Sequence, residues 1–235
     1  MASEEHYIGN ELELFDKAKN WKAYYGNIIK PYLKGDVMEV GAGIGATTRT
    51  LCDGSQNKWI CLEPDTQLAT QIDTLVKNKE LPSCCELRIG TLADQPVNEF
   101  YDSIIYIDVI EHIENDASEL QRAMNHLKSG GHLIILVPAH QWLYSPFDKA
   151  IGHFRRYDKT MLKKAIPAGM KQHKLFYLDS IGLLASVANK LFLKQEYPTQ
   201  KQVLFWDRTL VPISRLTDVL IGKTTGKSLV GIWKK

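Results

Sequence analysis

The chain has 235 residues, 44% of them hydrophobic and 24% charged, a composition that excludes extensive disorder and suits one α/β domain with an insertion. Its net charge is +2, but residues 1–147 carry 12 Lys and Arg against 21 Asp and Glu, and residues 148–235 carry 17 against 6. The acidic start, residues 1–5, lacks the profile of a secretory signal, so we expect a single cytoplasmic domain over residues 1–235.

Residues 1–34 precede the first predicted strand. Apolar and aromatic residues recur there at helical spacing from Asn10 to Leu33. We expect one or two helices that form an N-terminal cover on the sheet.

Residues 37–48 are typical of a strand, a tight loop and a helix. Three glycines stand at every second position of the loop, Gly41, Gly43 and Gly45, and Glu39 stands two residues before the first of them. Without Cβ atoms the glycines let a ligand approach the main chain, and the N–H groups at the helix start face that ligand. Such a loop is suited to a nucleoside-like cofactor.

The next β-rich run, residues 58–65, ends in a carboxylate. At the tip of this neighbouring strand, Glu63 is placed to accept hydrogen bonds from both hydroxyls of a ribose. The glycine spacing differs from the dinucleotide-binding fingerprint, because only Ile44 separates the second and third glycines. The pattern Glu39-x-Gly41-x-Gly43-x-Gly45 instead resembles the class I S-adenosylmethionine-dependent methyltransferases.

The resemblance extends over roughly residues 20–178 and the last strand. It implies S-adenosyl-L-methionine as the cofactor and a Rossmann-like fold, in which a seven-stranded, mostly parallel sheet has an antiparallel last strand and helices on both faces. The glycine loop would lie against the methionine part of the cofactor, Glu63 would bind the ribose, and Leu92 and Asp94 would contact the adenine. The cofactor-binding residues are then Glu39, Gly41, Ala42, Gly43, Gly45, Glu63, Pro64, Leu92, Asp108 and Val109.

Three further strands are predicted over residues 85–89, 101–108 and 132–138, with helices over residues 65–77 and from Asn115 to residues 129–131. Ligands of open α/β sheets bind at the carboxyl ends of the strands, so we expect these strand ends to converge on one crevice. The four cysteines lack metal-ligand spacing and are expected to be reduced thiols; they are Cys52, Cys61, Cys84 and Cys85.

Two histidines follow the fourth and fifth strands. His112 and His140 are the candidate proton acceptors, because an ordinary imidazole pKa of about 6.5 leaves the ring largely neutral in the cell. Hydrogen-bonding structural histidines are the alternative for both.

A metal site is a further interpretation of the same region. The set Asp108-x-x-Glu111-His112 is similar to the element by which some ubiquinone-pathway catechol O-methyltransferases and small-RNA 2′-O-methyltransferases bind a divalent metal, and His140 would complete it. Members of the family that use no metal share the Glu-His pair, and we predict that this chain binds none.

The loop over residues 141–157 is rich in aromatic and basic residues and is similar to that of a subgroup of bacterial-type methyltransferases. Its arginines would bind a carboxylate or phosphate, and its tyrosines would cover a ring. Ion pairs with acids of the same domain are the alternative for the arginines. The candidate substrate-binding residues are Tyr144, His153, Arg155, Arg156 and Tyr157.

After a helix over residues 158–166 and a strand over 171–178, residues 180–226 exceed the length of a plain hairpin before the last strand at 228–233. This insertion contains two amphipathic segments, residues 181–193 and 203–213, each too short to cross a membrane. They are predicted to be helices that form a lid, a homodimer face or a peripheral membrane contact, or that simply pack onto the sheet.

These features favour an enzyme that transfers a methyl group to a small-molecule or lipid-linked, anionic acceptor at oxygen or at an activated carbon. A nucleic-acid methyltransferase is the second choice, although no nucleic-acid-binding module is recognisable. A scaffold protein that binds the cofactor without turnover is the alternative from another class. The glycine spacing disfavours a nicotinamide oxidoreductase.

Overall fold

The structure is a computed structural model that describes residues 11–193 and 197–235. Seven strands form one sheet in the order β3-β2-β1-β4-β5-β7-β6. The first five strands pair in parallel, whereas β7 runs antiparallel between β5 and β6, which confirms the predicted sheet. The strands are β1 Asp36–Val40, β2 Lys58–Glu63, β3 Cys85–Ile89, β4 Tyr101–Ile107, β5 Leu127–Pro138, β6 Lys171–Leu178 and β7 Ser228–Lys234.

Helices connect the strands and cover both faces of the sheet. Two of them precede β1, as predicted for the N-terminal cover, and a 3₁₀ turn, Lys30–Tyr32, follows them. The helices are α1 Glu11–Asp16, α2 Lys19–Ile29, α3 Ala46–Leu51, α4 Thr66–Lys77, α5 Asp116–Asn125, α6 Pro146–Ala150, α7 Lys159–Ala165, α8 Ser180–Ala188, α9 Gln200–Phe205 and α10 Val211–Leu220.

The predicted end of the helix after β4 is wrong. Helix α5 ends at Asn125, and residues 129–131 lie inside β5, which begins at Leu127. The early residues of β5 pair with strand backbone, since Leu127 pairs with Tyr101 of β4, and Lys128 Nζ lies 2.7 Å from Asp36 Oδ2 of β1 and 2.8 Å from Asp102 Oδ2 of β4. Sequence periodicity does not report such a contact between strands.

Two apolar layers hold the helices to the sheet. The layer on one face includes Trp21, Tyr25 and Ile29 of α2, packed with Leu51 and with Val211 of the insertion. The layer on the opposite face is formed mainly by α5 and α7 with the other faces of the central strands. Successive residues of β1, β4 and β5 point into the two layers in turn. These strands are therefore buried on both faces, as expected for parallel strands covered on both sides.

Both predicted amphipathic segments of the insertion before β7, residues 181–193 and 203–213, are helical. A π-helical turn, Asn189–Leu193, follows α8, and a second one, Trp206–Leu210, joins α9 to α10. The helical run therefore extends from residue 200 to residue 220. Among the described residues, no helix is both long and apolar enough to cross a membrane.

Three of the four cysteines meet at the end of the sheet where β3 begins. Cys52 Sγ lies 3.5 Å from the Sγ atoms of both Cys84 and Cys85. All four cysteines are unbridged in the structure, and the reduced state stays a prediction.

Candidate active site

The loop between β1 and α3 has the backbone geometry that its glycines permit. Gly41, Gly43 and Gly45 have φ values of 68°, 58° and 76°, in the left-handed region that residues with a Cβ rarely adopt. A Cβ on Gly41 would lie only 2.7 Å from Cγ2 of Val109, the residue that follows Asp108 after β4. The absence of a side chain at Gly41 therefore lets the segment after β4 approach the loop.

Glu63 at the end of β2 is tied to the glycine loop. Its Oε2 accepts a 2.7 Å hydrogen bond from the Gly43 N–H, and its Oε1 accepts one of 3.0 Å from the Asp65 N–H. The N–H groups of Gly41 and Ala42 donate to the Leu62 carbonyl at 2.8 and 3.1 Å. The structure thus brings together the two parts of the predicted cofactor site, with Pro64 half-buried beside them.

Glu39 lies beneath the loop. Its Oε2 accepts hydrogen bonds from Thr48 Oγ1 at 2.6 Å and from Trp59 Nε1 at 3.0 Å. Burial raises the pKa of Glu39 to about 7, while these two hydrogen bonds oppose the increase. Because its partners belong to α3 and β2, Glu39 positions the loop from below, and a direct contact with the cofactor stays a prediction.

Asp108 occupies the carboxyl end of β4 with a left-handed backbone, φ 53°. The residue is exposed at the surface of the crevice. The protein atoms packed around its carboxylate nevertheless raise its pKa. The positive charges of Lys227, Lys22 and Arg156 oppose that increase. The Asp108 carboxylate is therefore influenced by cations from three separate segments. They are Lys22 of α2, Lys227 just before β7 and Arg156 of the loop after β5.

His112 meets His153 of the loop after β5. The two imidazole rings pack edge to face, with their centroids 4.5 Å apart. Burial lowers the pKa of His112 to about 4, and the nearby His153 adds to this effect. At cellular pH the His112 ring is therefore neutral.

Glu111 is wholly buried beside these histidines. Among the described residues, neither of its carboxylate oxygens has a hydrogen-bond partner, and His153 Nε2 lies 3.9 Å from Oε1. Burial holds the pKa of Glu111 well above its ordinary value. Ligand atoms of Glu111, His112 and His153 all lie within 4.8 Å of one another, a grouping that differs from the sequence-derived set because it includes His153 and neither Asp108 nor His140.

His140 is held separately from that group. Its ring stacks on Tyr177, with centroids 5.1 Å apart and an interplanar angle of 16°, and its Nε2 lies 3.0 Å from the Gly226 carbonyl oxygen. A carbonyl oxygen only accepts hydrogen bonds, so Nε2 carries the proton and Nδ1 is the basic nitrogen of the neutral ring. Burial lowers the pKa of His140.

Asp148 organises the loop after β5. Its Oδ1 pairs with Arg156 Nε at 2.8 Å and with His153 Nδ1 at 3.0 Å, and its Oδ2 accepts from the Ser145 hydroxyl at 2.8 Å. These contacts hold the pKa of Asp148 well below its ordinary range despite burial. The Nε edge of the Arg156 guanidinium is therefore already paired within the protein.

The other residues predicted to bind the methyl acceptor also form ion pairs or hydrogen bonds within the chain. Arg155 Nη1 pairs with Asp116 at 2.7 Å, and the same carboxylate accepts a 2.7 Å hydrogen bond from the hydroxyl of Tyr157, which is buried. The Tyr144 hydroxyl donates to the His153 carbonyl at 2.6 Å. Both arginines therefore pair with acids of the same domain, the alternative that the sequence left open, and their contact with an acceptor stays a prediction.

The turn after β3 has two parts with different surroundings. Leu92 is buried in the apolar layer with Ile60 and Leu62, whereas Asp94 is exposed and accepts hydrogen bonds from the Thr91 N–H and hydroxyl at 2.8 and 2.7 Å. Contacts of Leu92 and Asp94 with an adenine stay predictions.

Two lysines of the crevice were not found by sequence reasoning. Lys22 is buried on α2, where its Nζ donates to the Phe15 carbonyl at 2.7 Å, and Lys227 lies just before β7. Burial lowers the pKa of both. The only signal for Lys22 was a lysine among the apolar positions of α2, and no local pattern marked Lys227.

The sheet order and the glycine loop tied to Glu63 define an α/β domain that binds a nucleoside-containing cofactor at the carboxyl ends of its strands. Residues 38–133 match a family model described as a methyltransferase domain. The chain therefore contains a methyltransferase domain, consistent with the class I S-adenosylmethionine-dependent methyltransferases, and its cofactor is S-adenosyl-L-methionine. No curated protein matches the sequence.

Solved structures share the fold at low sequence identity. A methyltransferase from Haloferax volcanii, solved in complex with the Trm112 methyltransferase activator, is 15% identical with a TM-score of 0.66, covering 96% of this chain and 93% of its own. A protein described as a sarcosine dimethylglycine methyltransferase, from Galdieria sulphuraria, is 17% identical with a TM-score of 0.60 and coverage of 92% and 84%. An S-adenosylmethionine-dependent methyltransferase from Clostridium acetobutylicum is 12% identical with a TM-score of 0.61 and coverage of 95% and 97%.

Proposed function

We propose that the chain methylates an anionic small-molecule or lipid-linked acceptor at oxygen or at an activated carbon. The observation that carries this proposal is the convergence of Lys22, Lys227 and Arg156 on the crevice around Asp108. Cations from three separate elements create a positive potential that attracts anions. Arg156 also pairs with Asp148, and Lys22 Nζ lies 3.8 Å from Asp16 Oδ1, so these acids offset part of the positive charge. The charge that remains would attract an anionic acceptor.

The residues at the glycine loop fit the cofactor. Gly41, Gly43 and Gly45 allow the left-handed backbone of the loop, and the Glu63 carboxylate is placed at the strand tip to accept ribose hydroxyls. When bound, S-adenosylmethionine supplies an activated methyl group, so the protein has only to align the acceptor and take up its proton.

His140 is the better of the two candidate bases. A general base works best with a pKa near the operating pH, and the pKa of His112, about 4, is far below that range. The Gly226 carbonyl fixes the tautomer of His140 and leaves its Nδ1 basic. We assign proton uptake to His140 and a positioning role to His112, which packs against His153.

The loop over residues 141–157 is the proposed acceptor-binding element. Asp148 holds His153 and Arg156 in place, so their remaining donor groups are oriented before the acceptor arrives. Tyr144, Arg155 and Tyr157 stiffen the same loop from its other side. A pre-ordered loop lowers the entropy cost of binding a small acceptor.

The test is a methyl-transfer assay with the purified chain, methyl-labelled S-adenosylmethionine and ion-exchange fractions of a cell extract. Label should enter a compound that an anion exchanger retains. The variant His140→Gln should reduce this transfer roughly 100-fold without changing the affinity for S-adenosylhomocysteine, and the control His173→Gln, on β6, should transfer normally.

Two results would overturn the proposal. Label that enters only neutral or cationic compounds would remove the anionic acceptor. Label that enters no fraction, from a chain that still binds S-adenosylhomocysteine, would favour the scaffold alternative over this acceptor class.

A further inference from the structure

The helical run over residues 200–220 turns a polar face towards the protein. Asp207 Oδ1 accepts a 2.9 Å hydrogen bond from the Trp21 N–H, and Asp218 Oδ2 accepts one of 2.9 Å from the Tyr24 hydroxyl. The Ser214 hydroxyl donates to the carboxylate of Asp179 at 2.7 Å. These three side chains are buried, and so are Val203 and Val211 of the same run, which pack in the apolar layer with α2. Polar contacts and apolar packing together fix the run to the protein.

The opposite face of the same run is apolar and exposed. Leu216, Val219 and Leu220 are 71%, 68% and 84% exposed. A helix on a protein surface normally exposes a polar face, so an outward-facing apolar stripe of this extent is unusual. With these three residues, the outer stripe consists of Phe205, Ile213, Leu216, Val219 and Leu220.

The exposed charges of the run are all positive. Lys201, Arg208 and Arg215 are exposed, whereas the only two acids between residues 200 and 220, Asp207 and Asp218, are buried. An apolar face bordered only by cations is the pattern of helices that lie in the interface of an anionic bilayer.

The charges also distinguish a bilayer from a second copy of the chain. In a two-fold symmetric dimer the same patch meets itself, so the cations of one copy would face a patch whose exposed charges are also all positive. Like charges at such a contact oppose association, whereas anionic headgroups neutralise them.

The outer stripe is linked to the proposed acceptor loop through α8. The Ser180 hydroxyl of α8 lies 2.7 Å from that of Thr217 on α10, and Lys190, after α8, donates a hydrogen bond to the Trp142 carbonyl. Trp142 is two residues beyond His140 and is 53% exposed. Indole rings favour the membrane interface, so an exposed tryptophan is suited to such a contact.

We propose that the outer stripe, with Lys201, Arg208 and Arg215, binds the surface of an anionic phospholipid bilayer. The apolar side chains enter the headgroup region while the three cations remain at the phosphates. This inference does not rest on the identity of the acceptor, although a membrane-bound enzyme has direct access to a lipid-linked one.

The test is cosedimentation of the full chain with vesicles of phosphatidylcholine alone and of phosphatidylcholine with phosphatidylglycerol. The chain should sediment with the anionic vesicles, and 0.5 M salt should weaken this binding. The double variant Leu216→Gln/Leu220→Gln should bind at least about 10-fold more weakly, and so should Arg208→Gln/Arg215→Gln. The control Val97→Gln changes an exposed valine outside the stripe and should bind as the native chain does.

Each variant is also titrated with S-adenosylhomocysteine, and unchanged affinity shows that its fold is intact. Equal binding to neutral and anionic vesicles, or equal binding of native chain and Leu216→Gln/Leu220→Gln, would overturn the inference. So would sedimentation equilibrium showing a dimer that this double variant loses, because the stripe would then be covered by a second copy. Methyl transfer that persists without vesicle binding would leave the proposed function standing and remove this inference alone.

Discussion

The N–H of Gly43 donates a 2.7 Å hydrogen bond to Oε2 of Glu63, which joins the glycine loop after β1 to the tip of β2. Two segments about twenty residues apart are therefore registered against each other before a ligand arrives. Glu63, the residue predicted to bind the ribose, is therefore held in place by the same loop that is predicted to face the cofactor.

Glu63→Gln should weaken the binding of S-adenosylhomocysteine roughly 10- to 100-fold. The amide keeps the size of the side chain but loses the charge and one of two acceptor oxygens, and charge-assisted hydrogen bonds are the stronger kind. Isothermal titration measures the change, with the exposed Glu80→Gln as a control. Equal affinity of the two variants would show that Glu63 does not contact the ribose.

Gly41→Ala should lower both stability and cofactor affinity. The methyl group would strain a backbone with φ 68° and would also meet Val109 at 2.7 and 2.9 Å. Gly169→Ala is the matched control, because Gly169 has φ 94° but nothing within 4 Å of its added Cβ.

Urea unfolding of the two alanine variants separates the cost of backbone strain, present in both variants, from the cost of the contact with Val109, present only in Gly41→Ala. Gly169→Ala should cost about 1–2 kcal/mol, the usual penalty for a left-handed residue with a Cβ, and should leave the affinity for S-adenosylhomocysteine unchanged. Gly41→Ala should cost more and reduce the affinity. Equal costs and equal affinities would mean that Val109 does not restrict this position.

Glu39 should make the stability of the chain depend on pH. Its pKa is raised to about 7 in the folded state, so the folded chain retains a proton that an unfolded chain, with an ordinary pKa of about 4.5, releases. The proton on Glu39 therefore stabilises the folded chain relative to the unfolded one. This contribution is complete below pH 4.5, falls as pH rises, and is lost above pH 7. At 1.36 kcal/mol per pKa unit the total is about 3 kcal/mol.

Glu39→Gln removes this titration. Urea unfolding at several pH values should show that the variant is more stable than the native chain at pH 8, with the advantage shrinking towards pH 4.5. The exposed acid Glu80, changed to Gln, provides the comparison. A difference between variant and native chain that is the same at every pH would contradict the assignment to Glu39.

Divalent metals should have no effect on transfer. Burial favours the protonated form of Glu111, and a metal would require its carboxylate. His112 and His153 already pack directly against each other. Activity should therefore be unchanged by EDTA or by added Mg²⁺, Mn²⁺ or Zn²⁺, and Glu111→Gln should behave like the exposed control Glu114→Gln.

A metal site would give a different pattern in the same measurements. EDTA would then lower both the transfer rate and the unfolding temperature, Mg²⁺, Mn²⁺ or Zn²⁺ would restore them, and Glu111→Gln would respond to neither treatment. That pattern would assign the unpartnered oxygens of Glu111 to a cation.

Local signals predicted the parts of the fold that depend on local structure. The glycine spacing at residues 41–45 and the continuous apolar runs of β1, β4 and β5 reflect backbone conformation and burial on both faces, which a sequence pattern carries directly. The proximity of the glycine loop to Glu63 followed from the rule that parallel strand ends share one edge of the sheet, but their hydrogen bond did not.

Contacts between distant segments were beyond local patterns. The pairing of His112 with His153 depends on how the loop after β5 folds back, and the charges of Lys22 and Lys227 reach Asp108 only in the assembled sheet. The amphipathic period of residues 203–213 predicted a helix correctly, but periodicity does not say which face points inward. The buried pairs of Asp207 and Asp218 decide that orientation.

The position of β7 has a consequence for how the chain folds during synthesis. Residues 228–234 fill the gap between β5 and β6, so both of those strands keep an unpaired edge until this segment has been translated. The nascent chain can assemble β1 to β5 early, but it closes the sheet only in the last step. Ribosome-bound chains lacking this strand should therefore be the species most prone to aggregation and to capture by chaperones.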